Sequence, residues 1–110
     1  MAFTPYHNVD GSNGVDVELI APGGNVGAIK SILITNTDAT ADATVTLFIE
    51  DDPTAAVASV FKILSTVAIP SDTSLLLDNS SVLSFDNSSN GFGLYVTVGS
   101  SDTLDIMINI

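Results

Sequence analysis

The stretch Phe92-Gly-Leu-Tyr-Val-Thr-Val98 decides the fold class, because its apolar residues recur at every second position. The segment Thr103-Leu-Asp-Ile-Met-Ile-Asn-Ile110 repeats this alternation a few residues further on. Successive side chains of a β-strand point to opposite faces of a sheet, so a period of two predicts strands with one face turned to a core. The inward-facing set of these two strands is predicted to be Phe92, Leu94, Val96, Val98, Leu104, Ile106, Ile108 and Ile110.

The rest of the chain carries the same signal. Apolar and β-branched residues dominate residues 15–20, 26–35, 43–50, 57–69 and 74–77. Clusters of Gly, Pro, Asn, Asp and Ser separate these segments, as turns do in all-β domains. No segment shows a convincing helical period. The pattern predicts seven or eight antiparallel strands packed as a jelly-roll-like sandwich of two sheets.

The chain length indicates one domain, since 110 residues lie near the modal size. Residues 1–14 hold two aromatics, one proline and the turn-rich run Asp10-Gly-Ser-Asn-Gly14. We expect them to form an N-terminal arm or an irregular first strand. Residues 15–110 are expected to form a single β-sandwich domain.

The charge balance excludes nucleic acid as a partner. The chain has two lysines, no arginine and thirteen Asp or Glu, for a formal net charge of −11. A protein that contacts roughly 6–10 phosphates needs about as many Lys or Arg side chains, which this sequence lacks. The acidity is typical of a soluble protein whose copies repel one another, and it also suits a basic partner surface.

Targeting and redox signals are sparse. There is no cysteine, which removes disulfides and thiolate sites and fits folding in a reducing cytosol. The first seven residues show neither a basic segment nor an apolar core typical of a signal peptide. No stretch approaches the roughly 18 apolar residues of a membrane helix. We therefore expect a soluble protein that does not span a membrane.

One segment is apolar on both faces. In residues 26–35, Ile32 and Ile34 lie on one predicted face, and Ile29 and Leu33 lie on the other. A strand that is apolar on both sides is covered on both sides, and edge lysines that would discourage association are scarce here. This predicts a homo-oligomer of cyclic symmetry. The residues expected at its partner interface are Phe3, Tyr6, Ile29 and Leu33.

The sequence offers only weak candidates for catalytic or metal-binding residues. We predict no catalytic residue, no metal ligand and no cofactor. His7 is the only histidine, and a general base needs an oriented nucleophile beside it. The run Asp10-Gly-Ser-Asn-Gly-Val-Asp16 superficially suggests a calcium loop, but it lacks the ligand spacing of an EF-hand. Glu50-Asp51-Asp52 is another weak calcium candidate, because a cation would relieve the repulsion between its carboxylates. Turn chemistry explains the first run better, and a solvated loop tip explains the second.

Several segments together resemble a known family. They are Ile29-Lys-Ser-Ile-Leu-Ile-Thr-Asn36, Val45-Thr-Leu-Phe-Ile-Glu-Asp51, Phe61-Lys-Ile-Leu64, Ile69-Pro70 and Ser74-Leu-Leu-Leu77. Their order is similar to that in small β-sandwich virion proteins of tailed bacteriophages, and the resemblance covers roughly residues 28–110. It implies a structural role in the virion and carries over no functional residues.

The resulting functional prediction is a non-enzymatic structural protein of a tailed-phage virion, assembled in the host cytoplasm. Within that class we expect a decoration or cement protein that forms oligomers, with a trimer favoured, on the head surface. The major capsid protein or other virion proteins would be its partners. One alternative is a neck, tail or fibre component, and another is a calcium-assisted carbohydrate-binding module.

Overall fold

The fold was analysed in a computed structural model, which describes residues 5–11, 16–51, 59–99 and 102–110. These residues contain eight strands and one helical turn. In chain order they are β1 Tyr6–Asp10, β2 Val17–Ile20, β3 Ser31–Asn36, β4 Ala43–Glu50, β5 Val60–Ile69, β6 Thr73–Leu77, α1 Ser80–Leu83, β7 Gly93–Val98 and β8 Thr103–Asn109.

The strands form two four-stranded sheets. Sheet 1 has the order β1-β8-β3-β6, and sheet 2 has the order β2-β7-β4-β5. Every pair of neighbouring strands is antiparallel. The prediction of an all-β, two-sheet sandwich is therefore confirmed. Tyr6–Asp10 belongs to the sandwich as β1, while most of the remaining expected arm lies outside the described residues.

The core lies between the two sheets and follows the alternation of the sequence. Leu94, Val96 and Val98 of β7 are buried as predicted. In β8 the predicted set Leu104, Ile106 and Ile108 is buried as well. The outer members of the predicted set differ, because β7 begins after Phe92 and β8 ends before Ile110. Ile110 is consequently exposed, and Phe92 is half-buried.

The strand predicted over residues 26–35 is shorter than expected, and β3 covers only Ser31–Asn36. The backbone φ angles of Asn25 and Gly27 are 53° and 79°, which breaks the extended conformation before the strand. Ile29 nevertheless reaches the core and is 1% exposed. The prediction that Ile29 faces a partner is therefore wrong for this fold, because its burial places it in the core between the sheets.

Strand β5 is bulged, as the sequence allowed. Its register against β4 shifts twice, between Val45 and Leu47 and again between Leu47 and Phe48. At the first shift Thr66 has a φ of 48°, and its N–H donates to the hydroxyl oxygen of Thr46 at 3.0 Å. These bulges bend the outer strand of sheet 2 and leave its ladder irregular.

Two buried asparagines tie loops to the sandwich. The Nδ2 of Asn36 donates to the carbonyls of Ala41 (2.9 Å) and Ile69 (3.0 Å), and its Oδ1 accepts from the N–H of Asp38. Asn87 uses its amide in the same way and bonds to Ala21, Phe92 and Val26. A buried amide is tolerated only when its polar atoms are paired, so each Asn holds its loop in one arrangement.

We expect Asn36→Ala to lower the free energy of unfolding by about 1–3 kcal/mol, since two carbonyls and one N–H then lose their partner in or near the core. Urea denaturation would measure the change. Asn109→Ala, at an exposed asparagine of β8, is the matched control and should change stability by less than about 0.5 kcal/mol. Equal effects of the two substitutions would contradict the role given to Asn36.

The turn after β3 holds a carboxylate with a lowered pKa. Asp38 Oδ1 accepts hydrogen bonds from the N–H of Thr40 (2.8 Å), the N–H of Ala41 (3.1 Å) and the hydroxyl of Thr40 (3.1 Å). These bonds favour the charged form, the Thr40 N–H most of all, and hold the pKa of Asp38 below its ordinary 3.8. The stability this gives is present above the ordinary pKa and is lost as the pH falls through the lowered one.

Removing the hydroxyl in Thr40→Val should therefore raise the pKa of Asp38 part of the way toward 3.8, because the two N–H donors remain. An NMR titration of the Asp38 carboxyl carbon measures this shift. Thr35→Val removes a hydroxyl that bonds to Ser74 instead, and it should leave the titration unchanged. An unchanged or lower pKa in Thr40→Val would contradict the assignment.

Candidate interaction surface

An apolar row crosses the outer face of sheet 1 from edge to edge. The strand registers place Tyr6 opposite Met107, Met107 opposite Leu33, and Leu33 opposite Leu76. Residues directly opposite each other in a sheet share a face, so these four side chains form one line. We call Tyr6, Met107, Leu33 and Leu76 the apolar band.

The apolar band points away from the core and into solvent. Its sequence neighbours Ile32, Ile34 and Ile106 are fully buried between the sheets, so the residues between them must face outward. Tyr6 is 70% exposed, Leu76 is 54% exposed and Met107 is 43% exposed, and Leu33 in the middle is half-buried by its neighbours. Exposed apolar side chains that are contiguous, rather than scattered, mark sites of interaction.

A polar row borders the apolar band. It consists of Asn8, Asp105, Thr35 and Ser74, which oppose one another in the same registers. Asn8 Nδ2 donates to Asp105 Oδ1 at 2.6 Å, and the hydroxyls of Thr35 and Ser74 lie 2.9 Å apart. These polar groups are already paired within the sheet. An apolar strip beside a satisfied polar rim is the usual anatomy of a protein interface.

The outer face of sheet 2 has a different character. Its central row reads Glu18, Tyr95, Phe48 and Lys62 across the four strands. The rings of Tyr95 and Phe48 stack with centroids 5.8 Å apart, and the Tyr95 hydroxyl donates to Glu18 Oε2 at 3.3 Å. Both rings are almost completely covered, with 4% and 6% exposure. They therefore offer no open platform on which a sugar could stack.

The predicted interface residues separate into three groups. Tyr6 and Leu33 lie in the apolar band, Ile29 lies in the core, and Phe3 lies outside the described residues. The sequence interpretation missed Met107 and Leu76. The sequence could have identified Met107 as an exposed apolar residue, since it occupies an outward position of the alternating β8. The sequence could not have identified Leu76 in this way, because three consecutive leucines show no alternation.

The other candidates do not assemble into a site. His7 lies in β1, half-buried at the edge of sheet 1, and Asp51 Oδ1 accepts from the N–H of Ser59 at 2.7 Å. Residues 12–15 of the first suggested calcium loop and Asp52 of the second lie outside the described residues. Within the parts that are described, no three His, Cys, Asp or Glu side chains are arranged to hold a metal ion. The same parts contain no helix long and apolar enough to cross a membrane.

Comparison with known proteins identifies no relative from which a function could be inferred, so the functional argument uses the protein surface. No family model matches the chain, and no curated protein matches it significantly. The apolar band needs a physical explanation, because exposed apolar area is unfavourable in water.

Adjacent residues of β8 should respond differently to truncation. Met107→Ala should change the free energy of unfolding by less than about 0.5 kcal/mol, because its side chain lies in solvent. Ile106→Ala should cost about 2–5 kcal/mol, because it opens a cavity between the sheets. Chemical denaturation of the two variants measures both effects. Similar losses in both would contradict the outward assignment of the apolar band.

Proposed function

We propose that this chain is a non-enzymatic structural protein of a tailed-phage virion, and within that class a decoration or cement protein of the head. The apolar band on sheet 1 is the observation that carries the proposal. The resemblance of the sequence to small β-sandwich virion proteins supplies the class. The chain would work by covering a surface of other virion proteins and burying the apolar band against them.

The energetics of the apolar band support a docking role. Full burial of a Leu or Met side chain contributes about 1.5–3 kcal/mol relative to exposure. Met107 is 43% exposed and Leu76 is 54% exposed in the single chain, so about half of this free energy remains to be gained against another surface. The chain is strongly acidic elsewhere, which makes the uncharged band the part of sheet 1 best suited to a close contact.

The acidic outer face of sheet 2 would serve a second purpose. Asp16, Glu18 and Glu50 lie on or beside this face, with Lys62 as the one basic group among them. When sheet 1 rests on the particle, this face points to water or to a basic patch of a neighbouring capsid subunit. In the first arrangement the exposed carboxylates keep decorated particles from adhering to each other, because like charges repel.

A neck, tail or fibre position is the alternative within the same class, because the same apolar band would serve there equally. The two differ only in where the chain lies on the particle. A calcium-assisted sugar binder gains no comparable support, since the ring pair Phe48–Tyr95 is covered.

Binding to particles tests the proposal directly. Undecorated heads of the phage that encodes the chain should sediment with the purified protein, and Met107→Asp should weaken binding by about 30-fold or more. A charge in the buried centre of an interface typically costs upward of about 2 kcal/mol. Ala68→Asp is the matched control, because it adds the same charge at an exposed position of β5 in sheet 2.

Three outcomes are informative. Loss of binding in Met107→Asp with retention in Ala68→Asp supports the proposal. Binding to isolated tails but not to heads would move the chain to the neck, tail or fibre. Failure of the unchanged protein to bind any virion component would overturn the proposal.

A further inference from the structure

The edges of the two sheets are protected differently. An exposed sheet edge invites pairing with another strand, and proteins prevent this with bulges, lysines or prolines. In sheet 2, β2 has a register shift between Glu18 and Ile20, and β5 carries two shifts and Lys62. In sheet 1, β1 and β6 each pair with their inner neighbour over five residues without a shift. Neither contains Lys or Pro.

These two regular edge strands match each other. Since every neighbouring pair in the order β1-β8-β3-β6 is antiparallel, β1 and β6 run in opposite directions. A copy of β1 placed beside β6 of another molecule would therefore continue the antiparallel sheet. Both strands have five residues, so their lengths agree as well.

We propose that copies of this chain join edge to edge, with β1 of one copy adding to β6 of the next. With Tyr6 opposite Leu76 of the next copy, the apolar band becomes continuous from one molecule to the other. The same register sets Asn8 opposite Ser74 and so continues the polar row. On the inner side it sets His7 opposite Leu75.

The burial of β6 shows what such a strand would cover. Leu75 and Leu77 point toward the core, but they are only half-buried at the edge of the sandwich. Their partners in β3, Ile34 and Ile32, are fully buried. An added strand would extend the inner layer over these two leucines. On the other edge, β1 borders a shallow groove of about 430 Å³, lined by Tyr6, His7, Asn8, Asp105, Ile106 and Met107.

The distribution of charge also favours β1 and β6 as the strands that meet. Two copies that each carry −11 repel, so a contact between them needs surfaces without charge. Thr73–Leu77 carries no charged residue, and β1 carries a carboxylate only at its end, Asp10. In the proposed register Asp10 lies opposite Asp72 of the next copy. This repulsion should weaken pairing at low salt and be screened at high salt.

The contact is head-to-tail, so successive copies form a closed ring or an open filament. A trimeric ring would agree with the stoichiometry favoured from the sequence. The pairing does not depend on the proposed position in a virion, because it is a property of the purified chain alone.

Complementary variants test the pairing. Tyr6→Asp blocks β1 and leaves β6 intact, and Leu76→Asp blocks β6 and leaves β1 intact. Sedimentation velocity in high salt should show self-association of the unchanged protein, and each variant alone should be monomeric. An equimolar mixture of the two should form a 1:1 dimer, because β1 of the Leu76→Asp variant can still pair with β6 of the Tyr6→Asp variant.

Met107→Asp is the control, since it changes the middle of the apolar band without touching either edge strand. It should retain self-association. Abolished association in Met107→Asp would point to stacking of sheet faces and overturn edge pairing. The inference is also overturned if either edge variant still dimerises alone, or if the unchanged protein is monomeric up to about 1 mM. Circular dichroism confirms that each variant is folded.

Discussion

Packing of one face of sheet 1 against one face of sheet 2 is the interaction on which the rest of this structure depends. Ile32, Ile34, Leu47, Leu94 and Ile106 are completely buried in that layer. Burying them fixes the register of β3, β4, β7 and β8, because a slip by one residue would turn their apolar sets to solvent. The same constraint decides which residues lie on the two outer faces, because the side chains that alternate with the buried ones must point away from the core.

The outer faces of the two sheets differ in composition. Sheet 2 closes its outer face with the stacked pair Phe48 and Tyr95 and surrounds it with charged groups. Sheet 1 leaves an apolar row open, from Tyr6 at one edge to Leu76 at the other. A small domain has too little interior to bury every apolar residue. Part of the surplus here lies in the apolar band, and Phe61 and Val60 of β5 are exposed as well. A contiguous apolar row of this kind is a surface that a partner can recognise.

The net charge of −11 opposes association between free copies. Contacts between copies would need apolar burial or strand pairing that outweighs this repulsion. The buried amides of Asn36 and Asn87 contribute by holding the connecting loops in place beside the sheets. A rigid frame lowers the entropy lost when a partner binds.

By itself, the sequence determined the strand-rich class and most of the core, because alternation is a local property that residues such as Leu94–Val98 display directly. It also indicated Tyr6 and Leu33. The tertiary structure decided that these two share a row with Met107, a residue about a hundred positions from Tyr6 along the chain. It also placed Ile29 in the core and the bulges in β5. Strand order and register depend on contacts between distant segments, and a period of two carries no information about which strands meet.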